Sequence, residues 1–159
     1  MAVPSLPADT RSVPPSVEPP AKVFTLAEAD ALLTSLETIF EQMDHSSIRL
    51  REVLELLQDL EEYWGTRIED PELPERERFL GLVRERDDLQ GSLQEDIERI
   101  RALGPILKDY QQGLIDFYGF VEGRLVFLCW QRGEPGVRFY HTLESGFAGR
   151  KPLAPVPQE

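Results

Sequence analysis

The chain has little cysteine: Cys129 is the only one among 159 residues. A single thiol cannot form an intramolecular disulfide, and it cannot supply a zinc site built from several thiolates. The first twenty residues also lack the positively charged start and unbroken apolar run of a secretory signal. These absences fit a reducing compartment, so the sequence predicts a cytoplasmic protein.

Long hydrophobic runs and positive charge are also scarce. No stretch approaches the ~20 apolar residues that a membrane-spanning helix needs. Asp and Glu number 29 against 17 Lys and Arg, which gives a formal net charge of -12. Because the basic residues do not cluster along the chain, nucleic acid and membrane surfaces are not expected partners. A cationic ligand, a metal ion or a basic protein surface remains compatible with this acidic composition.

Proline is concentrated at the two ends of the chain. Residues 1–21 hold six prolines among small and polar residues, and residues 152–159 hold three. Such segments bury too little apolar surface to offset the entropy of ordering. We therefore expect a disordered Pro-rich arm at 1–21, a single α+β domain at 22–151 and a disordered tail at 152–159.

The first half of the domain has the period of two long helices. Thr25 and Glu28 form the pattern of a capping box, which predicts a helix start. Apolar residues then recur in steps of three and four up to Trp64, and again between Pro74 and Leu103. The expected helices, at about 25–64 and 74–103, would pack as a long antiparallel hairpin resembling a coiled coil.

Beyond Pro105 the apolar period falls to about two residues. Three short runs, at about 114–120, 125–130 and 137–143, predict a three-stranded antiparallel β-meander with glycine-containing turns. The middle run is apolar on both faces, as in a central strand covered on both sides. If Gly133 pairs with Gly136, Leu128 lies opposite His141, which places His141 and Asp116 on opposite faces of the sheet.

The first helix carries a wider apolar stripe than a two-helix seam requires. Either the β-sheet or a second copy of the chain must cover its extra column, and we expect a homodimer or higher homo-oligomer with the column buried between copies. The residues of this column are Leu32, Ile39, Val53 and Leu60. The small-residue pairs Ser46–Ser47 and Gly91–Ser92 are expected to face one another between the helices.

Several short motifs resemble those of the DUF2203 family of uncharacterised bacterial proteins. They are Phe24–Ala29, Gly113–Phe117, Leu128–Trp130, Gly133–Glu134, His141 and Gly146–Arg150. The resemblance covers residues 22–153. It implies a shared fold and directs attention to the C-terminal motifs, and it implies no activity.

Unusual residue types gather in the strand region, and six are candidates for binding a ligand: Asp116, Trp130, Glu134, His141, Glu144 and Arg150. Arg150 and Glu134 could anchor a small molecule, or form a salt bridge that fastens the glycine-rich loop. A metal would need convergence among His141, Glu144, Glu134, Asp116 and Cys129, whose spacing is not diagnostic. Cys129 itself reads as a buried core residue, because it lies in the most apolar strand.

Two function classes follow from these patterns. The first is a non-enzymatic interaction or assembly module that associates through the helical hairpin. The second is a small-molecule or metal-binding protein with its site at the β-meander and the Gly146–Arg150 loop. The length of the amphipathic hairpin favours the first, and no pattern of residues identifies a catalytic group, a reaction or a required cofactor.

Overall fold

The computed structural model describes residues 22–153 and shows an α+β fold. The expected Pro-rich arm, and the tail beyond residue 153, lie outside these residues. Three helices come first: α1 (Leu26–Ala31), α2 (Leu33–Trp64) and α3 (Glu75–Leu103), with a 3-10 turn at Gly65–Glu69. In the described part of the chain, no helix is long and apolar enough to cross a membrane.

The start of the helical region is confirmed as a capping box. Thr25 Oγ1 accepts from the Glu28 amide at 3.1 Å, and Glu28 Oε1 accepts from the Thr25 amide at 2.9 Å. Two donors that a helix start leaves free are thereby satisfied. A turn at Leu32 separates α1 from α2, and Gly65 ends α2 with a φ of 56°, which few other residues adopt.

The sheet has five antiparallel strands in the order of the sequence, where three were expected. The additional strands are short and lie at the two edges, one directly after Gly104–Pro105 and the other ending in a proline, so neither forms an alternating run. The strands are β1 (Ile106–Asp109), β2 (Leu114–Val121), β3 (Arg124–Gln131), β4 (Phe139–His141) and β5 (Lys151–Pro152).

The sheet packs one face against the helices. This inner face carries Ile115 and Phe117 of β2 and Leu128 and Trp130 of β3, all of them buried in the main core cluster. Side chains of α1, α2 and α3 complete the cluster. Residues 126 to 130 of β3 are buried on both faces, which confirms the expectation of a central strand. The outer face of β3 is therefore also covered by another part of the chain.

The wide apolar stripe of α2 is covered within one chain. Ile39 is 6% exposed in the main cluster, and Val53 (0%) and Leu60 (8%) belong to a second cluster with Leu82 of α3. Leu32 is half-buried and packs against the main cluster. The expectation that a second copy must bury this column is wrong, because α3 and the sheet cover different parts of it.

Gly91 does not take part in the expected contact between the two small-residue pairs. Ser46 is buried and Ser47 donates to or accepts from Tyr110 Oη at 3.0 Å. Gly91 is exposed, and a Cβ added to it would have no neighbour within 4 Å. The expectation that Gly91 faces Ser46–Ser47 is therefore wrong, because Gly91 lies on the solvent side of α3, whereas Ser92 is half-buried.

Gly119 and Gly91 give a matched pair of stability predictions. A Cβ at Gly119 would lie 2.7 Å from Leu128 Cδ1 and 3.1 Å from the Phe24 carbonyl oxygen. Gly119→Ala is expected to lower the free energy of unfolding by about 1–3 kcal/mol through overpacking. Gly91→Ala should raise it by about 0.5–1 kcal/mol, since alanine restricts the unfolded chain in an open helical position. Urea denaturation measures both, and equal effects at the two sites would contradict the packing described.

Candidate functional site

The outer face of the sheet carries a cluster of polar side chains. Asp116 on β2 pairs across the ladder with Cys129 on β3, and His141 on β4 pairs with Phe127 on β3. The three polar residues therefore lie on the same face. The expected separation of His141 from Asp116 is wrong, because the pairing of β3 with β4 is shifted by one residue and a one-residue shift moves every side chain to the other face.

The shift originates in the connection from β3 to β4. Glu134 Oε1 accepts from the Gln131 amide at 2.8 Å, and the Glu134 carbonyl accepts from Trp130 Nε1 at 3.0 Å. Asp30 of α1 accepts from the Val137 amide at 2.8 Å. These bonds hold residues 132–138 as a longer loop rather than a tight turn with Gly133 opposite Gly136. The register thus depends on a helix distant in sequence.

Asp116, Cys129 and His141 bring three potential metal-ligand atoms together. The ligand atoms all lie within 4.8 Å of one another. His141 Nε2 is 3.0 Å from Asp116 Oδ2, and all three residues are buried, with exposed fractions of 2% for Asp116, 1% for Cys129 and 4% for His141. No other such cluster of His, Cys, Asp and Glu occurs in residues 22–153.

A hydrogen bond from Nδ1 fixes the orientation and tautomer of the His141 imidazole. Nδ1 lies 2.8 Å from the carbonyl oxygen of Thr142, which can only accept, so Nδ1 carries a proton and donates. Nε2 then faces Asp116 Oδ2, and a hydrogen bond between these two atoms requires one further proton. Both ring nitrogens of His141 therefore have partners within the protein. His141 can hold Asp116, or it can donate its Nε2 lone pair to a metal.

Burial dominates the electrostatics of the cluster. It raises the pKa of the Asp116 carboxyl, against the opposing charges of His141 and Lys108. It also raises the pKa of the Cys129 thiol to about 12, with the Asp116 charge acting in the same direction. Because burial keeps the thiol protonated, Cys129 lacks the environment of an activated nucleophile. A bound cation would stabilise the ionised forms of both groups, the Asp116 carboxylate and the Cys129 thiolate.

A cavity of about 270 Å³ opens beside the cluster. Asp116, Cys129 and His141 line one part of it, and the segment after β4 lines the other. Lys108 reaches the cavity because Ile106 pairs with Asp116 on the outer face, and alternation along β1 puts Lys108 on the same face. Its Nζ is 3.8 Å from Asp116 Oδ2 and 4.5 Å from the centre of the Phe127 ring. The remaining lining residues are Leu114, Leu143, Glu144, Ser145, Gly146 and Phe147.

Arg150 fastens the segment that covers the outer face. Its guanidinium pairs with Glu134 through contacts of 2.7 and 3.2 Å, which confirms the expected salt bridge. The same group lies 4.0 Å from the Phe139 ring and 4.2 Å from the Phe147 ring. An arginine between two aromatic rings loses little freedom on forming its hydrogen bonds. The loop over the cavity is thus attached to β4 and to the β3–β4 loop.

A family model described as an uncharacterized conserved protein, DUF2203, matches residues 22–153. The chain belongs to the DUF2203 family. Comparison with the curated proteins and with the solved structures gives no match. The matched span includes the whole candidate site, and the family's description names no activity, so the chemistry of this DUF2203 protein has to be argued from its own residues.

The six candidates from the sequence fall into three groups. Asp116, His141 and Glu144 line the cavity, and Glu134 and Arg150 form the ion pair beside it. Trp130 is buried on the opposite face, against the helices, so it does not belong to the site. Sequence reasoning missed Lys108 and set Cys129 aside as core. The expected register of β2 and β3 already placed Cys129 on the same face as Asp116, whereas β1, with four residues, is too short to show a period in the sequence.

Arg150→Met should release the segment over the cavity. Methionine keeps much of the apolar stem but removes the ion pair and the stacking on Phe139 and Phe147. Because the side chains of Arg150 and Glu134 are 17% and 21% exposed, we expect a loss of about 1–3 kcal/mol in the free energy of unfolding. Limited proteolysis should also cut faster within residues 142–149. The exposed Arg138, changed to Met, is the control, and equal cleavage rates in the two variants would contradict the role given to Arg150.

Proposed function

We propose that this DUF2203 protein binds a divalent transition-metal ion, Zn²⁺ by its ligand chemistry, through Asp116, Cys129 and His141. The observation that carries the proposal is the convergence of three buried ligand types from three neighbouring strands. The hydrogen bond from His141 Nδ1–H to the Thr142 carbonyl supports it further. Histidines that ligate metals usually donate their other ring nitrogen to a carbonyl or carboxylate, which aims the free lone pair at the ion.

The distances within the cluster are close to those of a tetrahedral site. Ligands at about 2.0 to 2.3 Å from a zinc ion lie roughly 3.3 to 3.8 Å from one another. Nε2 and Oδ2 are 3.0 Å apart, and no pair of ligand atoms exceeds 4.8 Å. Side-chain movements on the order of 1 Å would complete the coordination. The ladder fixes the three backbones, so these movements are rotations of side chains that are already neighbours.

The ligand set also selects the metal. A thiolate and an imidazole favour Zn²⁺ and its substitute Co²⁺, whereas Mg²⁺ and Ca²⁺ prefer sites made of oxygen atoms. Three protein ligands leave a fourth position for a water or another ligand, the arrangement typical of zinc sites that act on or bind a small molecule. Asp116, Cys129 and His141 all line the cavity, so a small molecule in it would be adjacent to the ion.

Titration with Co²⁺ tests the proposal directly. Because Cys129 is the only cysteine, any thiolate-to-cobalt absorption band reports on this site alone. The full chain should bind one ion and develop that band, Zn²⁺ should displace it, and the variants Cys129→Ser and His141→Gln should each weaken binding at least about tenfold. His45→Gln is the matched control, since His45 is the other histidine and is exposed. A folded chain without the band would refute the proposal.

Self-association through a helical hairpin is the second candidate function. Its support is the exposure of apolar side chains along α2, with Ile48 55%, Leu54 44% and Tyr63 78% exposed. Apolar residues that are exposed singly do not require a partner, so this candidate ranks second. The mass of the full chain in solution tests it. A dimer mass lowered to that of a monomer by Ile48→Glu would support it, and a mass of 18.2 kDa at all accessible concentrations would contradict it.

A further inference from the structure

We propose that the fourth position of the bound metal accepts the carboxylate of a small organic acid with an apolar body, and that Lys108 binds the second carboxylate oxygen. This inference rests on the proposed function, because the metal supplies one of the two contacts. It assigns a ligand class to the cavity and a role to Lys108 beyond its contacts with Asp116 and Phe127.

The charges around the site favour an anion. One carboxylate and one thiolate neutralise a divalent ion, and the ammonium of Lys108 then adds a positive charge nearby. Lys108 Nζ is 3.8 Å from Asp116 Oδ2, so the metal and the ammonium would share one carboxylate. A second anion placed between the two cations removes their repulsion and accepts a charge-assisted hydrogen bond.

Lys108 is held where it can make that contact. Ile106 pairs with Asp116, so the alternation along β1 puts the Lys108 side chain on the outer face, where its ammonium lies 4.5 Å from the Phe127 ring centre. A cation over an aromatic face is positioned without losing its hydrogen-bonding capacity. Glu144 is the carboxylate that opposes an anion in the cavity. It is exposed at the rim, where solvent weakens its repulsion.

The rest of the lining fits an apolar body. Leu114, Leu143 and Phe147 face the cavity, and the contact of Phe147 with Arg150 holds one of these walls in place. A volume of about 270 Å³ suits a ligand of few carbon atoms rather than a polymer. Each methylene that leaves water against such a wall should strengthen binding about fourfold.

Binding of short acids to the Co²⁺-loaded protein tests the inference. Acetate and butyrate should each shift the visible cobalt bands, with butyrate binding about sixteenfold more tightly because it has two further methylenes. Butanamide, which has no charge, should bind far more weakly than butyrate. Inorganic phosphate serves as the anion without an apolar body, and it should bind no more tightly than acetate.

Variants of the full chain assign the contact. Lys108→Met should weaken butyrate binding at least about tenfold, the effect of one charge-assisted hydrogen bond, and leave Co²⁺ bound. Lys151→Met, at an exposed lysine on β5, should change nothing. Glu144→Gln should leave butyrate binding equal or tighter. Two results would overturn the inference while the metal site stands. One is cobalt bands that develop but do not shift when any of the acids is added, and the other is a Lys108→Met variant that binds butyrate as tightly as the parent. Absence of the thiolate band would overturn the metal site itself.

Discussion

His141→Ala is expected to lower the free energy of unfolding by about 3 kcal/mol or more in protein without added metal. The change leaves the carboxylate of Asp116 buried without the partner that lies 3.0 Å from it. Removing one member of a buried pair costs about 3–5 kcal/mol, since the other charge stays uncompensated. Lys108, at 3.8 Å, offsets part of that cost. Urea denaturation monitored by tryptophan fluorescence measures the loss.

Two further variants separate this effect from general damage to the sheet. His45→Ala removes an exposed imidazole and should change the free energy of unfolding by less than about 0.5 kcal/mol. Asp116→Asn should cost only about 1 kcal/mol, because the amide can donate to His141 Nε2 while Nδ1–H still donates to Thr142. If Asp116→Asn is as damaging as His141→Ala, the hydrogen-bond directions given to this pair are wrong.

Metal binding should release about two protons per ion near neutral pH. One comes from the Cys129 thiol, whose pKa of about 12 keeps it protonated in the free protein. The other is the proton that the Asp116–His141 hydrogen bond requires. Protons and metal compete for the same atoms, so the apparent affinity for Zn²⁺ should rise with pH, by about a hundredfold per unit.

Calorimetric titration in buffers of different ionisation enthalpy counts these protons. The Cys129→Ser variant provides the control, because its hydroxyl has no thiol proton to release, and any ion that it still binds should release about one proton fewer. An affinity that does not change between pH 6 and 8, or that falls as pH rises, would mean that the ion binds elsewhere on this acidic chain.

The general architecture was accessible from the sequence because local rules determine it. The capping box at Thr25 and Glu28, the change from a helical to a period-two pattern after Pro105 and the doubly apolar β3 each depend on neighbouring residues. The edge strands were not accessible. β1 and β5 have four and two residues, too few to show a period, and they exist because an adjacent strand pairs with them.

The register between β3 and β4 decides which residues meet at the site. His141, Asp116 and Cys129 share a face only because the β3–β4 loop is longer than its glycines indicate. Asp30 fixes that loop by accepting from the Val137 amide, across 107 positions of the sequence. Hydrogen bonds of that range have no local signature, so pairing Gly133 with Gly136 gave the wrong face for His141. The residue types were recognised as candidates before their convergence was visible.

The apolar column of α2 was recognised from the sequence, but what covers it was not. Ile39 packs in the main core cluster, and Val53 and Leu60 pack in the cluster with Leu82. A periodic pattern gives the width of an apolar stripe but not what covers it. A second copy and a sheet folded back onto the helix leave the same pattern in the sequence, and only the three-dimensional contacts distinguish them.

X-ray absorption at the zinc edge of the loaded protein tests the metal site most directly. Coordination by Asp116, Cys129 and His141 predicts one sulfur at about 2.3 Å and nitrogen or oxygen neighbours at about 2.0 to 2.2 Å, with an imidazole contribution. The sulfur must come from Cys129, because the chain has no second cysteine. A shell made only of oxygen and nitrogen, in a folded protein with an unmodified thiol, would contradict the account.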